Sequence, residues 1–71
     1  MDPRERELLT GMGNCYAACG EEFEATVEMV AGARNLEPQE VRSLLVQMRV
    51  RYAHDTEYQS LRARLPPEFP L

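Results

Sequence analysis

These 71 residues contain no lysine and no tryptophan, a single histidine (His54) and only two cysteines, Cys15 and Cys19. No apolar run approaches the roughly 20 residues that a membrane-spanning helix needs. The opening MDPRERELL carries charge where a secretory leader needs an apolar stretch. The chain is therefore expected to be soluble and cytoplasmic, with Cys15 and Cys19 kept as reduced thiols. Period-two alternation is missing as well, and glycine and proline punctuate helical segments rather than forming hairpin pairs, which argues against a sheet. There is no repeat, no low-complexity tract and no interdomain linker.

The expectation is a small all-α protein, one domain over residues 1–71, built as a bundle of three to four short helices with a proline-rich, extended tail at 66–71. A chain this short buries only about 60% of the surface its unfolded form exposes, so a second copy is a natural source of extra stability.

Four segments carry the helical signal. Asp2 before Pro3, with Glu5 following, marks a helix start: a side-chain cap, a proline at the first position and an acid near the positive helix end. Leu8, Met12, Cys15 and Cys19 then recur at helical spacing. Gly11 and Gly13 each weaken a helix by roughly 1 kcal/mol relative to alanine, so a break or kink is expected near TGMGN. Gly20 suits a helix end. Phe23, Val27, Val30 and Ala31 form the stripe of the second segment, and Asn35 can close it in the left-handed conformation. The third segment, LEPQEVRSLLVQMRVRYA, places Val41, Leu44, Leu45, Met48 and Tyr52 on one face, with Val46 and Val50 opposite. The fourth starts at Asp55, points Tyr58, Leu61 and Leu65 inward, and stops at Pro66–Pro67. Something should cover Val46 and Val50: another helix, a second chain, or the tail, where Phe69 and Leu71 are apolar anchors suited to the role.

All eight basic residues are arginines, and they are unevenly shared. Residues 1–37 hold three against eight carboxylates, a charge of −5; residues 38–71 hold five against four, a charge of +1. The net −4 disfavours nucleic acid, where phosphate contacts dominate affinity. The acidic half reads most simply as a solvated face.

The stretch around residues 31–41 has the spacing of a helix-turn-helix corner: Ala31 small, Asn35 at the turn, Leu36 as plug, Val41 and Leu44 locking the crossing. Its chemistry suits DNA poorly. Glu37 and Glu40 stand where phosphates would lie, leaving Gln39, Arg42 and Ser43 as the readers of a DNA-binding alternative that uses residues 27–48.

Cys15 and Cys19, four apart, share a face of any intact helix. With His54 they are the candidate metal ligands of a third reading, a thiol metal or redox protein. A closed zinc site takes four ligands, and one chain offers at most these three and a carboxylate, while a dimer could pool four thiols. The simpler expectation is that both are small buried side chains and that no cofactor is bound. His54 beside Asp55 does not make an acid–base pair, because Asp55 serves better as a helix cap. No nucleophile elbow, phosphate-binding glycine loop or paired-carboxylate pocket is present, so no enzymatic activity is expected.

What remains is the outer face of the third segment. Arg42, Val46, Arg49 and Val50 form a mixed apolar and cationic strip, the composition that interfaces favour. The leading expectation is thus a protein–protein interaction or accessory module, its protein partner open and a homodimer among the possibilities.

Overall fold

The computed structural model describes residues 1–69. Four α-helices make up the bundle, α1 (Pro3–Cys15), α2 (Phe23–Arg34), α3 (Pro38–Arg51) and α4 (Thr56–Arg62), with a short 3-10 helix at Ala17–Cys19 between the first two. No strand occurs among the described residues.

Local chemistry sets each boundary. Asp2 accepts a hydrogen bond from the Arg4 amide at 2.8 Å, and Pro3 occupies the first helical position of α1. Contrary to the expected break, α1 runs unbroken through Gly11 and Gly13. Both glycines lie against neighbouring chain: a Cβ at Gly11 would sit 3.9 Å from a Val30 methyl, and one at Gly13 would sit 3.5 Å from the Arg64 Cβ. Packing on those neighbours offsets the weak propensity of glycine, as tertiary contacts commonly do. The 3-10 helix ends at Gly20 in the left-handed region, φ +67°, where an L side chain is disfavoured. The Gly20 amide reaches Ala17 O at 3.3 Å and the Glu21 amide reaches Tyr16 O at 3.0 Å. This paired closure is the Schellman pattern.

The same pattern ends α2. Asn35 is left-handed at φ 60° and ψ 40°. Its amide reaches Gly32 O at 3.3 Å, and the Leu36 amide reaches Ala31 O at 2.9 Å. Leu36 then folds back against the core. Glu37 opens α3, its amide donating to Glu40 Oε1 at 3.1 Å, with Pro38 at the first position. Asp55 Oδ1 accepts from the Tyr58 amide at 2.9 Å and opens α4.

Each helix buries one stripe: Leu8, Leu9 and Met12 from α1; Val27, Val30 and Ala31 from α2; Val41, Leu45 and Met48 from α3; Tyr58 from α4, with Leu65 just after it. α2 packs on α3, and α1 packs on all three others. The one buried polar side chain among the described residues, Thr26, donates to Glu22 O at 2.7 Å. The radius of gyration, 10.9 Å, matches the value of about 11 Å for a compact domain of this length.

After α4 the described part of the tail packs on the first half of the chain. Pro66–Phe69 closes a turn, the Phe69 amide donating to Pro66 O at 3.1 Å. The Phe69 ring then lies edge-on to Tyr16 and Phe23, with centroids 5.1 and 5.2 Å away. Edge-to-face rings gain beyond their buried area, an attraction that Val46 and Val50 do not offer. Arg62 holds the turn in place by donating to the Leu65, Pro67 and Phe69 carbonyls at 3.1, 3.4 and 3.2 Å. Of the covers open to Val46 and Val50 (the tail, another helix or a second chain), Phe69 is thus not one. Leu71, the other proposed anchor, lies outside the described residues.

The glycines supply a direct check on the packing. A Cβ at Gly32 meets nothing within 4 Å, and one at Gly11 meets only ordinary contact. Gly11→Ala and Gly32→Ala are each expected to stabilise the fold by about 1 kcal/mol, read as a rise of several degrees in thermal midpoint. A fall at Gly11 would mean that α1 and α2 lie closer than described.

Candidate functional site

The orientation of α3 follows from what it buries. Val41, Leu45 and Met48 point into the core, and at 3.6 residues per turn this turns positions 42, 46, 49 and 50 away from it. Val46 is 53% exposed and Val50 is 76% exposed. They stand one helical turn apart and form a short apolar ridge. Singly exposed valines are ordinary on a protein surface; an adjacent pair beside arginines has the make-up of an interface.

The two arginines of the strip differ. Arg42 is engaged within the chain. Its Nη2 lies 2.8 Å from Glu24 Oε2 on α2, its Nε lies 3.1 Å from the same oxygen, and its Nη1 donates to Gln39 Oε1 at 3.0 Å. The hydrogen bond from Arg42 holds the Glu24 carboxyl below its ordinary range, and the same bond raises the Arg42 guanidinium. A lowered carboxylate favours the fold at neutral pH, and that contribution is lost as pH falls through its folded value. The contact is exposed, so its weight is small. Arg49 is exposed and makes no ion pair among the described residues.

Depressions flank the ridge. Gln39, Arg42, Ser43, Val46 and Gln47 line a shallow groove of about 320 Å³. On the other side of α3 a larger cleft of about 630 Å³ opens towards α1 and the α2–α3 corner. Its floor is Leu8, Leu36 and Leu44, and its rim carries two ion pairs, Glu7–Arg34 at 2.8 Å and Glu5–Arg51 at 3.1 Å. Glu5 is the most enclosed of these charges, its side chain 13% exposed, and it also accepts from the Tyr52 hydroxyl. Gln47 lines both depressions, so the surface is continuous across α3. The sequence did not point to this cleft, because three helices contribute to its walls. The one available signal was Leu44, at the edge of the α3 stripe, where a side chain meets both core and solvent.

The residues considered as DNA readers, Gln39, Arg42 and Ser43, fall on this same face. Gln39 and Arg42 are bonded to each other, and Arg42 is held by Glu24. Ser43 is exposed. Glu37 and Glu40 stand at the helix start, as the sequence implied. The turn between α2 and α3 has the expected helix-turn-helix corner, with Ala31 and Val41 buried and Leu36 packed against them as part of the core.

The candidate metal ligands do not converge. Cys15 is the last residue of α1, Cys19 sits in the 3-10 helix, and His54 lies exposed between α3 and α4. Because α1 ends between the cysteines, their spacing no longer places them on one face of one helix. Both are free and partly buried rather than fully enclosed. Among the described residues, no three His, Cys, Asp or Glu side chains gather as a metal site. Asp55 is used as the α4 cap, which separates it from any role with His54.

No helix among the described residues is long and apolar enough to cross a membrane. No protein-family model, curated protein or solved structure matches the chain.

Proposed function

We propose that the chain is a small, non-catalytic interaction module that meets a protein partner through the outer face of α3. Val46 and Val50 are the apolar anchors, with Arg42 and Arg49 as flanking cations. One observation carries this reading: Val46 and Val50 form an exposed ridge among the described residues, and Phe69 packs on Tyr16 and Phe23 rather than on it. Burying exposed valine surface is favourable by roughly 25 cal/mol per Å² before the costs of association. Arg49 supplies an exposed charge that makes no ion pair among the described residues. A second copy of the chain and an unrelated protein are both admissible partners, and the free thiols suit a cytoplasmic setting.

The test is a pair of substitutions. Val46→Glu with Val50→Glu is expected to remove partners recovered by affinity capture from the source cell and any concentration-dependent association in sedimentation equilibrium. Helicity by circular dichroism is expected to stay unchanged, because both side chains lie outside the core. Unchanged partners and association would remove the assignment.

Duplex DNA is the rival occupant of the same helix, favoured by the corner between α2 and α3. Against it stand the net charge of −4 and the Glu24 carboxylate that holds Arg42. Fluorescence anisotropy with a random-sequence duplex at low salt is expected to show no binding. Binding that weakens steeply with added salt would instead favour the DNA reading.

A further inference from the structure

The outer face of α3 carries both a hole and a knob. Gln39, Arg42, Ser43 and Val46 line its groove of about 320 Å³. They are spaced i, i+3, i+4 and i+7, the four-residue hole that receives one side chain of a facing helix. Val50, one turn beyond Val46, projects from the same face as an exposed apolar side chain.

Charge is arranged around the groove as well. Arg42 and Arg49, seven residues apart, share one flank of α3, and the ion pair of Arg42 with Glu24 turns this flank towards α2. Glu28 stands one turn beyond Glu24 on α2. The Arg42 guanidinium is raised by its hydrogen bond to Glu24 first, and also by the charge of Glu28, so this second carboxylate stands near the groove. Glu28 is exposed and, like Arg49, makes no ion pair among the described residues.

We infer that this face pairs with the same face of a second copy across a two-fold axis, the two α3 helices running antiparallel. Val50 of each copy fills the partner's groove, and Arg49 of each meets the partner's Glu28. The inference rests on the interaction role assigned above to this face, and it names the partner.

One register meets these demands together. Seating Val50 at the centre of the hole sets it level with the partner's Arg42 and the partner's Ser43. Counting back along both helices, Val46 falls opposite the partner's Val46, beside the axis, and Arg49 falls level with the partner's Ser43. A two-fold axis lying in the interface, perpendicular to α3, brings like flanks of the two helices together. Arg49 therefore arrives on the flank where α2 presents Glu28. Arg42 stands there too, but Glu24 already neutralises it. In a parallel pair unlike flanks would meet, setting Arg49 against the partner's Gln47 and the partner's Arg51. The antiparallel contact is self-complementary, as a two-fold interface requires. It also covers the exposed valines of both copies, a gain suited to a chain too short to bury much surface alone.

Sedimentation equilibrium of the full chain tests the pairing. Wild type is expected to fit a monomer–dimer equilibrium with a Kd below about 1 mM. Arg49→Glu sets carboxylate against carboxylate at both contacts, and Glu28→Arg sets guanidinium against guanidinium. Each alone is expected to weaken dimerisation at least about tenfold, with helicity by circular dichroism unchanged because both positions are exposed. An equimolar mixture of the two variants restores opposite charges at both contacts, and is expected to form a one-to-one dimer about as tight as that of wild type. A wild type that stays monomeric overturns the second copy as partner. The interaction role of the face survives that result if Val46→Glu with Val50→Glu still abolishes capture of another protein. Dimerisation indifferent to both charge changes, or a mixture that associates no better than either variant alone, also overturns the proposed pairing.

Discussion

Leu9→Ala is expected to lower the unfolding free energy by about 3 kcal/mol, within the range of roughly 2–5 kcal/mol for an enclosed leucine. Leu9 is 1% exposed and sits on α1, the helix that touches all the others. Its removal therefore opens a cavity at the meeting point of the bundle, where no single helix can shift to fill it without losing contacts elsewhere. A chain of this length has a total stability of only about 4–11 kcal/mol, so the variant stands near the edge of folding. Urea denaturation followed by circular dichroism reads the change as a lower midpoint at an unchanged slope. A loss under about 1 kcal/mol would mean that α1 is peripheral rather than central, and the packing would have to be redrawn.

Phe69→Ala is expected to cost about 3 kcal/mol, a large effect for a residue so near the end of the sequence. The loss lies in the side chain: the ring is buried against Tyr16 and Phe23 in edge-on geometry, worth about 0.5–1.5 kcal/mol per pair beyond area. The backbone carbonyl clasped by Arg62 is kept by alanine. The same denaturation experiment measures the loss. A change indistinguishable from zero would place the tail in solvent and reopen the question of what covers the junction between α1 and α2. Arg62→Ala, which keeps the ring but releases the turn, is expected to show part of the same effect.

Much of the fold was legible in the residues. Asp2–Pro3, Asn35 and Asp55 fixed helix ends because a cap acts locally, through one side chain on one or two nearby amides. The stripes of α2 and α3 were legible for a similar reason: Val27, Val30 and Ala31, or Val41, Leu45 and Met48, repeat at the helical period. Two readings failed where the deciding partner is distant in sequence. The expected break at Gly11 and Gly13 weighed propensity alone, whereas Val30 and Arg64 back those glycines from the far side of the fold. The option that Phe69 covers Val46 and Val50, one of three left open, weighed apolar character alone. Tyr16 and Phe23, more than forty positions away from Phe69, offered rings instead.

The candidate site divides in the same way. Helical spacing placed Val46, Arg49 and Val50 on the surface, and they lie there. Nothing local revealed that Glu24 holds Arg42, since that pair joins two helices. The cleft floored by Leu8, Leu36 and Leu44 needed the packed bundle to exist at all.

The most direct measurement on the α3 surface is a methyl-resolved NMR titration of the valine-labelled protein with the captured partner, or with rising concentrations of itself. Val46 and Val50 provide the reporters on the ridge, and Val27, Val30 and Val41 provide enclosed controls. The expected result is that the Val46 and Val50 methyls shift or broaden first while the core methyls hold their positions. Unmoved Val46 and Val50 signals alongside clear binding would contradict the interaction role assigned to this face.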